Sequence, residues 1–225
     1  MELIPSLLVD DREAFERRLR LVEPYVKTVH VDILDGTLFP ATSWFDAASV
    51  GALATSVRYE LHIMVTNPLP IIAEWKALVP GTCRAYVHAE IERPLRRVLE
   101  EIRDVHQLET GVALNQETPV EEIQTLLRDL QALLIMGVHP GSSGQPFEGD
   151  YVLEKIRLAH SRRPDLPIEI DGGVTKALIP SLMQAGASRF CCASAIFGET
   201  NPTDALRQLQ ETLEMEDRST PAKNA

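Results

Sequence analysis

Basic residues are scarce in this chain. The 22 Lys and Arg stand against 33 Asp and Glu, for a formal net charge of −11. A surface of that sign repels nucleic acid and anionic membranes, so neither is expected as a main partner. A small anionic ligand is not excluded, because one site can differ in sign from the whole. Long apolar runs are missing too, and none approaches the ~20 residues a membrane span needs. The opening Met1-Glu2-Leu3-Ile4-Pro5-Ser6 lacks the basic-then-apolar pattern of a secretory signal. There are only three cysteines, Cys83, Cys191 and Cys192, and two of them are adjacent inside an apolar run. An odd number so placed favours buried free thiols over disulfides, and a cytoplasmic protein is expected. Aromatic residues make up only 5% of the chain, but 44% is hydrophobic, enough for a sizeable core.

What the chain does have is alternation. Short apolar runs occur at Leu3–Leu8, Val26–Leu34, Tyr59–Val65, Arg84–Ala89, Gly111–Leu114, Leu133–Val138, Ile168–Ile170 and Arg189–Ala193. Between them lie segments with helical spacing and charged faces, roughly Asp11–Val22, Asp46–Ala54, Leu69–Leu78, Pro94–Gln107, Val120–Leu130, Tyr151–Arg162, Lys176–Ala185 and Thr203–Leu213. Asp10 is positioned to cap the first helix, Thr118-Pro119 to open the fifth and Asn201-Pro202 the last, while Gly186 stops the seventh. Eight strand-then-helix units over residues 1–213 predict a single (β/α)8 TIM barrel, with an open doubly wound sheet as the alternative. The polar tail 214–225 is expected to be disordered. No linker or low-complexity block divides the chain.

In barrels of this kind, chemistry sits at the C-terminal ends of strands. Polar groups occur at nearly every such end: Ser6, His30 and Asp32, His62, His88 and Glu90, Asn115, His139, Asp171 and Ser194. Burying them without partners or a task would be costly. Within His30-Val31-Asp32-Ile33-Leu34-Asp35-Gly36, the two-residue strand period places His30 and Asp32 on one face. A single histidine is more simply a core residue bonded to backbone. The set His30, Asp32, His62 and Asp171, at matching positions on three strands, favours a divalent metal: zinc, iron(II), manganese or cobalt. Three glycine-containing turns follow strands six, seven and eight: Pro140-Gly141-Ser142-Ser143-Gly144-Gln145, Asp171-Gly172-Gly173-Val174 and Ala193-Ser194-Ala195-Ile196-Phe197-Gly198. Exposed backbone N–H groups at such turns bind phosphate without Lys or Arg.

From Ile4-Pro5-Ser6 to Ser194-Ala195-Ile196-Phe197-Gly198 the chain resembles the ribulose-phosphate 3-epimerase family. The resemblance rests on the His-x-Asp-x-x-Asp-Gly run at 30–36, His62-Ile63-Met64, Val87-His88-Ala89-Glu90, Leu114-Asn115, Met136 ahead of Pro140-Gly141, and Asp171-Gly172-Gly173. It implies a metal held by His30, Asp32, His62 and Asp171. It also implies that Asp32 and Asp171 are the acid–base pair on opposite faces of a ketose phosphate, acting through a cis-enediolate. Ser6 and His62 would contact substrate, and Met64 and Met136 would pack round the reacting centre. The phosphate would rest on Gly141, Ser142, Ser143, Gly144, Gly172, Gly173, Ala193 and Ser194, and a homo-oligomer is implied.

The chain departs from the family pattern at Leu34, Thr37–Ala41, His139, Ser142-Ser143 and Ala193, where the added methyl is expected to restrict close approach. No departure touches a metal ligand or an acid–base aspartate. The expected reaction is therefore D-ribulose 5-phosphate to D-xylulose 5-phosphate. A six-carbon ketose phosphate such as allulose 6-phosphate stands next, and a non-catalytic sugar-phosphate binder is the reading from another class. A related decarboxylase or aldolase would need a catalytic lysine, and Lys27 and Lys76 are not at strand C-termini.

Overall fold

The computed structural model of the chain describes residues 1–219. Its strands are β1 (Glu2–Leu7), β2 (Thr28–Leu34), β3 (Arg58–Met64), β4 (Thr82–His88), β5 (Glu109–Leu114), β6 (Ala132–Met136), β7 (Ile168–Asp171) and β8 (Arg189–Cys192). All pair in parallel and in sequence order, and β8 returns to β1 with Leu3 opposite Phe190 and Pro5 opposite Cys192. That closing pair rules out the open sheet and makes the fold a (β/α)8 barrel.

The outer layer is apolar. Val29, Val31 and Ile33 of β2, Leu61 and Ile63 of β3, and Ile168 and Ile170 of β7 join one buried cluster with Phe15, Trp75, Ile102 and Ile156 of the helices. The intervening strand residues turn inward. On β5 and β6 these are small or apolar apart from Glu109 at the start of β5, and Ala113, Ala132, Leu134 and Met136 surround the ring of Tyr86. Gly111 makes room for that ring, since a Cβ there would lie 2.2 Å from it. On β2, β3, β4, β7 and β8 the inward residues are largely polar, and they build the site.

The helices are α1 (Arg12–Val22), α2 (Ala47–Gly51), α3 (Pro68–Leu78), α4 (Leu95–Asp104), α5 (Asp150–Arg162), α6 (Ile179–Ala185), α7 (Ser194–Phe197) and α8 (Pro202–Ser219). Gly186, at φ +115°, ends α6 as expected, because a left-handed residue closes a helix most easily without a Cβ. The cap of α1 is Asp11 rather than Asp10, its carboxylate accepting from the Ala14 N–H at 2.7 Å.

Two further expectations change. Residues 120–130 do not form an α-helix; a 3₁₀ turn at Val120–Ile123 passes into further turns. Arginines from elsewhere take the carbonyls there: Arg96 donates to Thr125 O (3.0 Å), and Arg163 donates to Leu127 O (2.5 Å) and Leu130 O (2.6 Å). At the other end, α8 runs on to Ser219, so the expected tail does not begin at 214. An Arg218–Glu214 pair at 3.1 Å, one turn apart, lies along this extension. The rest of that tail, 220–225, lies outside the described residues.

Candidate active site

The period-2 geometry of β2 points His30 and Asp32 into the barrel, and β3 and β7 add His62 and Asp171 at adjoining heights. One ligand atom from each of the four lies within 4.8 Å of the others. His62 Nδ1 stands 3.0 Å from Asp32 Oδ1 and 3.2 Å from Asp171 Oδ2. His30 Nε2 faces the same two carboxylates at 3.3 and 3.9 Å. Although His30 is fully buried, this nitrogen has no hydrogen-bond partner. Ser6 donates to the other Asp32 oxygen at 2.6 Å.

The electrostatics have one common cause: two carboxylates draw positive charge into the space between the four side chains. Burial works to raise the Asp32 carboxyl, but the positive charge drawn onto the nearby His30 and His62 imidazoles outweighs it and holds it far below the ordinary range. Burial works to lower His62, and hydrogen bonds to Asp171 and Asp32 reverse that. An unpartnered imidazole nitrogen, a second imidazole nitrogen and two carboxylates converging on one point suit a divalent cation. The residues therefore fit a metal.

Beneath these four side chains is a buried network that the strand-end pattern did not include. His30 Nδ1 meets Glu60 Oε1 at 2.7 Å and Glu169 Oε1 at 3.3 Å, with Cys191 Sγ at 3.2 Å. Arg84 pairs with Glu60 and, at 3.0 Å, with Glu109. Tyr86 donates to Glu169 at 2.6 Å, and Arg189 donates to the Tyr86 hydroxyl at 3.2 Å. Burial and the neighbouring Glu169 push Glu60 up to about 7. His30, Glu60, Glu169 and Cys191 also lie close enough to hold an ion, but Arg84 already supplies positive charge there. The signal for this network was the same strand period carried back from the inward-facing residues at the strand ends: 60 from 62, 169 from 171, and 86 and then 84 from 88.

Above these four side chains opens a cavity lined by Ser6, Asp32, Met64, Met136, Gly141, Ser142, Ser143, Gly144, Asp171, Gly172, Gly173, Ala193 and Ser194. His30 and His62 do not line it; they lie below its floor, fully buried. Asn115 is also outside it, its side chain turned to Glu117 at 2.8 Å. Exposed His139 stands at the rim beside Glu117 and Glu148. No lysine or arginine is among the lining residues. Lys155 of α5 is committed elsewhere, its ammonium donating to Asn115 O (2.8 Å) and Gln116 O (2.7 Å). An anion in the cavity would meet backbone N–H groups. Gly173, at φ +69°, leaves no space for a side chain, since a Cβ would come within 2.7 Å of the Phe147 backbone. Ala193 has φ −103°, ordinary for an L-residue, so its methyl brings no backbone strain.

The model of the ribulose-phosphate 3 epimerase family matches residues 2–197. The chain belongs to that family. It is an isomerase of the epimerase kind. It is 31% identical over 221 residues to the ribulose-phosphate 3-epimerase of Bacillus subtilis (strain 168), covering 93% of this chain and 98% of that one. Against the ribulose-phosphate 3-epimerase of Helicobacter pylori (strain ATCC 700392 / 26695) the identity is 32% over 215 residues, covering 93% and 97%. A crystal structure of 3-hexulose-6-phosphate synthase superposes with a TM-score of 0.72 at 18% identity, covering 95% of this epimerase and all of that chain; this likeness concerns the fold alone. No helix among the described residues is long and apolar enough to cross a membrane.

Proposed function

We propose that this epimerase inverts C3 of D-ribulose 5-phosphate to give D-xylulose 5-phosphate, with a divalent metal bound by His30, Asp32, His62 and Asp171. The observation that carries the reading is the convergence of Asp32 and Asp171, from β2 and β7, on two imidazole nitrogens at the floor of a cavity without cationic side chains. The names of the relatives support the substrate. The free thiols, and a relative in rice (29% identical) named as a cytoplasmic isoform, support a cytosolic location.

When bound, the ion supplies a Lewis acid that stabilises negative charge on the substrate oxygens. The chain does the rest. Inversion without redox chemistry needs two proton-transfer groups on opposite faces of the carbon. One aspartate takes the C3 proton, the other returns a proton to the far face, and a cis-enediolate lies between. Ser6 fixes one oxygen of Asp32, and the neighbouring imidazoles keep that carboxylate ionised. The buried Met64 and Met136 wall the reacting centre against water. The amides of Gly141–Gly144, Gly172–Gly173 and Ala193–Ser194 receive the phosphate. Ser142 and Ser143, where the chain departs from the family pattern, line the cavity, and a six-carbon ketose phosphate is the second reading.

Proton NMR in D2O tests this with protein loaded in turn with iron(II), zinc or manganese. Deuterium should appear at C3 of ribulose 5-phosphate as xylulose 5-phosphate forms, and allulose 6-phosphate run in parallel decides chain length. Asp171→Asn should lower turnover at least ~10³-fold while the circular dichroism spectrum is unchanged. Substantial residual epimerisation would remove Asp171 from its role. No exchange with either sugar in metal-loaded protein would favour a binding module.

A further inference from the structure

We propose that His88 and Glu90 form a proton lock on His62, fixing which of its ring nitrogens faces the metal. The proposal rests on the reading of His62 as a metal ligand. His62 Nε2 meets His88 Nε2 at 2.9 Å, and both residues are fully buried. Two imidazole nitrogens in contact share one proton, so one must donate and the other accept. The far end of the chain decides which. His88 Nδ1 lies 2.8 Å from Glu90 Oε2. The other Glu90 oxygen accepts from the Asn115 backbone N–H at 2.9 Å and from the Thr118 hydroxyl. A carboxylate that already draws two donors to one oxygen acts as an acceptor at the other, so His88 donates through Nδ1–H. A second proton on His88 would place a buried charge one ring away from the ion, so with the ion bound its Nε2 carries only a lone pair and His62 donates through Nε2–H. With an ion held there, His62 Nδ1 is then the nitrogen that presents a lone pair to it, between Asp32 and Asp171.

The opposite setting would place the proton on His62 Nδ1 and turn a ligand into a donor. Ring packing holds the alignment: His62 and His88 lie with their planes 17° apart, and the Phe39 ring packs edgewise on His88 at 5.0 Å. His88 touches neither ion nor substrate, so it is a positioning residue. Histidine ligands are commonly oriented through their second nitrogen by a carboxylate; here a second histidine is interposed.

The test compares metal-stripped wild type, His88→Gln and His88→Leu by zinc calorimetry and by the visible absorption of bound cobalt(II). Long-range proton–nitrogen NMR of the histidine rings in the zinc-loaded wild type accompanies it. Gln offers a carbonyl oxygen near the place of Nε2 and should keep most of the affinity. Leu offers no acceptor and should lose 10- to 100-fold, with an altered cobalt spectrum. The rings should carry protons at His62 Nε2 and His88 Nδ1. A proton at His88 Nε2, or a Leu variant that binds zinc as tightly as wild type, would overturn the lock alone. Wild type that takes up neither ion would overturn the metal site and the lock with it. Should the Leu variant not fold, the Gln variant and the ring protons still decide.

Discussion

His30 and His62 face the same point and are supported in opposite ways. Behind His30 the support is broad: Glu60, Glu169 and Cys191 crowd one ring nitrogen, and Arg84, Tyr86, Glu109 and Arg189 brace them in turn. Behind His62 it is single file, one imidazole and then one carboxylate. Broad support shares a buried charge among many groups, so orientation and stability are entangled. Single-file support keeps its one charge at the far end, on Glu90, and it transmits a proton order. The same task, presenting a lone pair upward, is thus met once by an ionic cluster and once by a directional chain.

Substitutions on the two sides should separate these modes. The largest effect is expected from Glu60→Ala, which leaves the buried Arg84 without a main partner and His30 Nδ1 without its closest acceptor. Losing one member of a buried ion pair costs about 3–5 kcal/mol. Urea unfolding would measure it, and a loss under about 1 kcal/mol would mean that Glu109 alone satisfies Arg84. On the other side the signature is a pH window. Burial opposes the Glu90 carboxylate, but bonds from His88, Thr118 and Asn115 pull it down to about 2 from its ordinary 4.5. With the folded value the lower one, the stabilisation is complete above pH 4.5 and drains away as pH falls towards 2. The stability gap between wild type and Glu90→Gln should therefore shrink by about 2–3 kcal/mol across that window. A gap constant with pH would sink the idea that Glu90 is a bound carboxylate. The smallest effect is expected from Tyr86→Phe. It removes one donor from Glu169, which keeps Cys191 at 2.9 Å, and should cost about 1–2 kcal/mol in thermal unfolding.

Much of this was legible in the chain because strands have an exact period. Once His30 and Asp32 share a face, His62 and Asp171 at matching strand positions fall into the same space. What stayed hidden depends on distant partners. The segment 120–130 reads as a helix until Arg96 and Arg163 capture its carbonyls. Asp10 and Asp11 are equivalent on paper, and only the turn into α1 chooses between them. Glu60 and Glu169 look like half-exposed strand residues until eight strands enclose them. His88 and Glu90 were visible as a motif, but the contact with His62 that gives them a role joins two strands.

The network under His30 also bears on how the chain folds. Its members come from β3, β4, β5, β7 and β8, and Tyr86 and Arg189 are 103 residues apart. While the ring is open, Glu60, Arg84 and Glu169 can remain hydrated. When β8 docks on β1 they lose that water together, and only then do all their partners stand in place. Closure therefore concentrates the desolvation of several charges into one late, non-local event, which slows folding. A half-closed barrel would hold ionised groups away from water without partners, so the polar interior penalises partly closed states and makes closure cooperative.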